Sequence, residues 1–142
     1  MEIIRLEEKN QYYDTIVDWM YHWWGIRDGK SIEEVKENIA HCLHTGLRLP
    51  QTYIALIDQH IAGVYMISMM DDLESRPDVY PWIINVYVDE KYRHLHVCKE
   101  MMESVNDIFI NEKMIFFIVH FSFLLLFYSV ALQFLCSCFL IH

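Results

Sequence analysis

Basic charge is what this chain lacks most. Lys and Arg number 11 against 20 Asp and Glu, for a formal charge of −9 over 142 residues. Nucleic-acid affinity rests on a basic surface that displaces counterions, so this balance argues against DNA or RNA as a partner. There is no CxxC pair and no evenly spaced cysteine framework among Cys42, Cys98, Cys136 and Cys138. The thiols are therefore read as reduced and the compartment as cytosolic. Met1–Arg5 carries no basic segment leading into an apolar one, so no secretory signal is expected. No internal repeat or low-complexity linker interrupts the polar part of the chain. Residues 114–142 contain no Asp, Glu, Lys or Arg, nor any glycine or proline. The chain thus divides into an acidic body, 1–113, and an apolar tail, 114–142.

The 54% apolar and 15% aromatic content excludes a disordered chain. Periodicity then sorts the body into elements. Residues 2–6 predict a short strand. Glu7 to Trp24 predicts a helix, because Tyr12, Ile16, Trp19, Met20 and Trp23 recur at three- and four-residue steps, and Gly25 ends it. Ser31 followed by Glu34 is a capping box opening a second helix, with Ile32, Val35, Ile39 and Leu43 on its apolar side. Thr52–Asp58 and His60–Met70 predict an antiparallel hairpin turning at Asp58-Gln59-His60, with Gly63 a point of bulging or close backbone approach. An acidic loop runs from Asp71 to Pro81. Trp82–Asp89 is the strongest strand, β-branched and aromatic. A turn over Glu90–Leu95 leads to a helix from Val97 to Ile110, with Met101, Met102, Val105 and Ile108 inward. The expected fold is α+β, a mixed and mostly antiparallel sheet flanked by helices.

Several segments, in order, resemble the GCN5-related N-acetyltransferases (GNAT). Trp24-Gly25 follows the first helix. Leu49-Pro50-Gln51-Thr52-Tyr53-Ile54-Ala55 leads into the second strand. Ile61-Ala62-Gly63 lies on the third. Pro81-Trp82-Ile83 opens the fourth, which ends in Val86-Tyr87-Val88-Asp89-Glu90-Lys91-Tyr92-Arg93. The resemblance covers about residues 1–112. It implies acetyl transfer from acetyl-CoA, as cosubstrate, to a primary amine of a small molecule. It also implies that Val86, Tyr87 and Val88 hold the pantetheine arm through their backbone. The turn from Arg93 through His94, Leu95, His96, Val97 and Cys98 to Lys99 would hold the pyrophosphate at a helix N-terminus, where backbone N–H groups and the helix dipole favour anions.

Two departures accompany the resemblance. The family turn reads Arg/Gln-x-x-Gly-x-Gly/Ala, and its glycine positions are here His96 and Cys98. A left-handed backbone at 96 would cost a histidine about 1 kcal/mol or more. The second departure is the tail. Residues 114–119 read as a fifth strand, but beyond them the amphipathic alternation stops. Three readings stand side by side: a frameshifted or truncated terminus, a membrane anchor of sufficient length, and a terminus buried in a homodimer. A non-catalytic remnant of the family, held at a membrane through residues 114–142, is the alternative function.

Among acid–base candidates, Asp71, Asp72 and Glu74 lie in the acidic loop, where a carboxylate would bind or deprotonate an ammonium; a solvated acidic loop is the competing reading. Trp23, Trp24 and Trp82 read either as an acceptor pocket or as core. Tyr128 has no motif to place it as the acid for the leaving thiolate. His94, His96 and Cys98 lack a fourth partner at metal-ligand spacing, so no metal is expected. Cys98 at a helix start is a candidate for a lowered thiol pKa.

Overall fold

The computed structural model describes residues 1–43, 49–69 and 81–111. The elements run β1 (Glu2–Arg5), a 3-10 segment (Leu6–Tyr12), α1 (Tyr13–Met20), a wide π turn (Tyr21–Gly25), α2 (Ile32–His41), β2 (Gln51–Ile57), β3 (His60–Ser68), β4 (Trp82–Val88), a short 3-10 turn (Glu90–Tyr92) and α3 (Val97–Asn111). The four strands form an antiparallel sheet in the order β1-β2-β3-β4. This is the expected α+β arrangement. The chain divides into two units, Met1–Glu103 and Ser104–His142. The described part of the second is the C-terminal end of α3, in which Val105 is buried. Among the described residues no helix is long and apolar enough to cross a membrane. The fifth-strand, anchor and Tyr128 readings all fall outside the described residues.

The first helix departs from expectation. The single helix over Glu7–Trp24 is instead a 3-10 segment, an α-helix and a π turn. Lys9 breaks helical geometry with φ −136° and ψ 57°, so the α-helix starts only at Tyr13. At the other end, the π turn brings Gly25 against α2: a Cβ there would lie 3.0 Å from both Tyr21 Cδ2 and Val35 Cγ2. The apolar stripe survives these breaks, because Ile16, Val17 and Met20 are buried.

The capping box of α2 forms as expected. The Glu34 N–H donates to Ser31 Oγ at 3.2 Å, and the Ser31 N–H donates to Glu34 Oε2 at 2.8 Å. These donors hold the Glu34 carboxyl below its ordinary value. The cap is therefore intact above the ordinary carboxylate range and is lost as pH falls through the lowered value.

The hairpin turns on Asp58 and Gln59, both with positive φ (48° and 63°), between paired Ile57 and His60. Two left-handed central residues are what a two-residue turn needs to match strand twist.

One sheet face packs against α1 and α2. Leu6, Ile16, Val17, Met20, Val35 and Ile39 meet Ile54, Leu56, Val64 and Met66 there. On β2, the alternation that sends Ile54 and Leu56 to this face sends Tyr53 to the other. Tyr53 and its directly paired partner Tyr65 stack with ring centroids 5.2 Å apart.

Two register shifts re-phase the strands. Ala55 pairs with Gly63 but Leu56 pairs with Ile61, leaving Ala62 as the extra residue. On β4, Ile84 pairs with Met66 and Tyr87 with Val64, so β4 carries one residue more than β3 over this stretch. Asn85 is left-handed there, with φ 53°. An extra residue in a strand shifts its side-chain parity. Ile84 and Tyr87, three residues apart, consequently both join the core on the α1/α2 face.

Candidate active site

The C-terminal end of β4 and the start of α3 form one corner of the sheet. Asp89 closes the strand. Its N–H donates to the Ala62 carbonyl at 2.9 Å, and its carboxylate accepts the Lys91 N–H at 2.8 Å. The first of these bonds fixes the direction of the strand's polar groups. Hydrogen-bonded and non-hydrogen-bonded pairs alternate along an antiparallel ladder. Ala62 and Asp89 are hydrogen-bonded, so the adjacent pair Gly63–Val88 is not. Val88 thus turns its own N–H and C=O away from β3. Among the described residues β4 is a margin of the sheet, so these groups face outward.

Arg93 marks that outward direction. Its Nε donates to the Val88 carbonyl at 3.3 Å, its guanidinium sits 6.0 Å from the centroid of the Tyr87 ring, and its Nη1 lies 3.4 Å from Glu90 Oε1. Tyr87 in turn packs against Trp19 and Trp23, with ring centroids 5.1 and 5.8 Å away. Burial pushes the Tyr87 phenol above its ordinary value.

From Arg93 the chain makes a solvent-facing turn into α3. Arg93, His94, Leu95 and His96 are exposed, while Val97 is buried. His96, which stands at a glycine position of the family turn, is left-handed, with φ 58°. His94 is left-handed as well, with φ 72°, which the sequence reading did not anticipate. Cys98 lies inside α3, where a helical residue needs no glycine. The first hydrogen bond of the helix runs from the Glu100 N–H to the His96 carbonyl, 3.1 Å. The N–H groups of Val97, Cys98 and Lys99 precede it and have no intrahelical acceptor. They point out of the helix N-terminus beside the turn. Lys99 adds a cation on the exposed side, 3.7 Å from Glu103.

The remaining candidates separate. Asp71, Asp72 and Glu74 lie outside the described residues. Trp23 and Trp24 pack against the core, and the Trp24 indole N–H is buried with no hydrogen-bond partner among the described residues. Trp82 pairs with Ser68 at the far end of β4. Among the described residues no group of three or more His, Cys, Asp or Glu side chains is placed to hold a metal ion. Among the described residues Cys42 and Cys98 are not joined in a disulfide. Burial pushes the Cys42 thiol up to about 11, so it is an unreactive core group at neutral pH.

Sequence reasoning missed Asn85. The signal was there: asparagine tolerates the left-handed region better than its β-branched neighbours. What one strand alone does not show is that the extra residue aligns Val88 with Gly63.

Fold and corner together define an α+β domain in which, among the described residues, an outward strand margin lies next to a helix N-terminus. Residues 10–122 match the model of the acetyltransferase (GNAT) family. The chain belongs to that family. Its members generally use acetyl-CoA. No curated protein and no solved structure matches the chain.

Proposed function

We propose that this protein transfers an acetyl group from acetyl-CoA to a primary amine of a small molecule. The observation that carries the reading is the adjacency of two unlike binding elements in one corner. The outward backbone at Val88 suits an extended chain of amides, which can bind as an added strand does. The N-terminal turn of α3 suits a pyrophosphate. Acetyl-CoA has both, joined in one molecule.

In this reading Val86 and Val88 hold the pantetheine arm through their backbone, and Tyr87, whose N–H is given to the β3–β4 ladder, stands between them. Arg93, His94, Leu95, His96, Val97, Cys98 and Lys99 hold the pyrophosphate. The residues present fit that task in one specific respect. The backbone keeps the left-handed step at residue 96 although glycine is absent. Histidine is among the residues that enter this region more readily than most.

The amine nitrogen, as the neutral amine, attacks the thioester carbonyl carbon, a C–N bond forms and the C–S bond breaks; the nitrogen gives up one proton and the leaving thiolate takes one up. A backbone N–H of β4 donates to the carbonyl oxygen as negative charge gathers there. Asp71 and Glu74 are assigned to the ammonium of the acceptor on sequence grounds alone. The overall charge of −9 favours such a cation's approach.

Isothermal titration of the intact chain with acetyl-CoA tests the reading. Binding is expected at sub-millimolar concentration, and His96→Gly should tighten it a few-fold by letting the turn's N–H groups approach the phosphates. No binding by either form at millimolar acetyl-CoA would contradict the proposal and favour a non-catalytic remnant of the family.

A further inference from the structure

Gly63 stands where three parts of the corner meet. It pairs with Val88 across the β3–β4 ladder. A Cβ on Gly63 would lie 2.8 Å from Met101 Sδ, 3.0 Å from the Tyr87 carbonyl oxygen and 3.4 Å from Val97 Cγ1. Val97 and Met101 are one helical turn apart on α3, and both are buried, at 2% and 0% exposure. The first turns of α3 therefore rest on bare β3 backbone, next to the strand end whose polar groups face outward. Met101 Sδ sits near the end of a flexible side chain, but the residue is fully buried, so it gives way only by repacking inside the core. The Tyr87 oxygen is backbone and yields only if β4 moves.

We infer that Gly63 is a positioning residue for the cosubstrate: lacking a side chain, it sets the spacing between the α3 N-terminal turn and the Val88 margin of β4. The inference rests on the acetyl-CoA reading above. A side chain at 63 pushes α3 away from the sheet, or β4 away from β3, by a few tenths of an ångström. Each element keeps its own shape. The distance between them changes, and only a ligand that spans both senses it.

That distinction supplies the test. Pantetheine uses the β4 margin and 3′,5′-ADP uses the α3 turn, whereas CoA uses both. Linking two fragments gives an advantage only if both seats are met at once, and small misplacements are costly. In Gly63→Ala, CoA affinity should fall roughly 5- to 10-fold while each fragment, followed by ligand-observed NMR, holds within about twofold. Adding Met101→Ala to Gly63→Ala removes the closest contact and should restore part of the loss. Val97→Ile enlarges the same contact from the helix side with a conservative change; it should show the same pattern at about two- to threefold, and it stands in if Gly63→Ala does not fold.

Unchanged CoA affinity in folded Gly63→Ala, or in Val97→Ile, overturns the inference. So does a parallel fall for CoA and both fragments, which is what general destabilisation produces. Absence of CoA binding to the unaltered chain overturns the acetyl-CoA reading instead, and the two failures are thereby distinct.

Discussion

Val88→Pro is expected to lower acetyl transfer by about 100-fold or more while the protein stays folded. The proline removes one N–H and changes little else. Val88 belongs to the non-hydrogen-bonded pair with Gly63, so its N–H is not part of the β3–β4 ladder. Proline is tolerated in a strand where its nitrogen faces away from the neighbouring strand. The preceding residue, Tyr87, is already extended, as a residue before proline prefers. The cost to the fold should be a few degrees in melting temperature. The cost to function should be large, because the outward N–H of Val88 is a donor that the pantetheine arm or the thioester carbonyl would use.

The neighbouring substitution makes the control. Tyr87 pairs with Val64 in the alternate, hydrogen-bonded position of the ladder. Tyr87→Pro therefore breaks a ladder bond and also removes the ring that Trp19, Trp23 and Arg93 pack against. It should cost about 3 kcal/mol or more and unfold the corner. Circular dichroism melts separate the two variants. Comparable unfolding in both would contradict the assigned direction of the Val88 groups.

The largest effect on stability is expected at the centre of the sheet. Ile54 is fully buried, pairs with Ile4 on one side and Val64 on the other, and faces the core beneath α1 and α2. Ile54→Ala removes three carbons from a position that strands on both sides prevent from collapsing. A loss of about 3 kcal/mol follows. Against a typical total of about 5–15 kcal/mol, this is a large share, and the melting temperature should drop on the order of 10 °C. Ile26 is the matched control: it is 56% exposed, and Ile26→Ala should leave the melt nearly unchanged. Equal melts for the two variants would contradict the placement of the core.

Much of this architecture was legible in the residues because the governing physics is local. The Ser31–Glu34 box needs two side chains three positions apart, and it forms as read. The hairpin around Asp58-Gln59 and the β-branched run of β4 have signals contained within themselves, and both elements stand within a residue or two of their expected ends. A glycine inside a strand pattern marked Gly63 as a point of bulging or close backbone approach, and its contacts show the close approach.

The misses involve interactions between segments. Periodicity detects a stripe of apolar side chains but not whether the backbone between them is 3-10, α or π. Lys9 and the Tyr21–Gly25 turn therefore went unread. The Asn85 bulge is a relation between two strands: it exists only because Met66 and Val64 pair with Ile84 and Tyr87. His94 shares the left-handed conformation of His96, yet the family pattern marks only the second position. In the candidate site, the strand and helix were thus readable in advance, while the direction of the Val88 backbone required the register.

The central claim is that acetyl-CoA lies along the β4 margin with its pyrophosphate at the start of α3. Amide hydrogen exchange on the intact chain, with and without saturating acetyl-CoA, tests it most directly. The account predicts slowed exchange at Val86 and Val88 and at Val97, Cys98 and Lys99, with the ladder amides of β2 little changed. Saturated binding that leaves Val88 and the α3 N-terminus unprotected would contradict it.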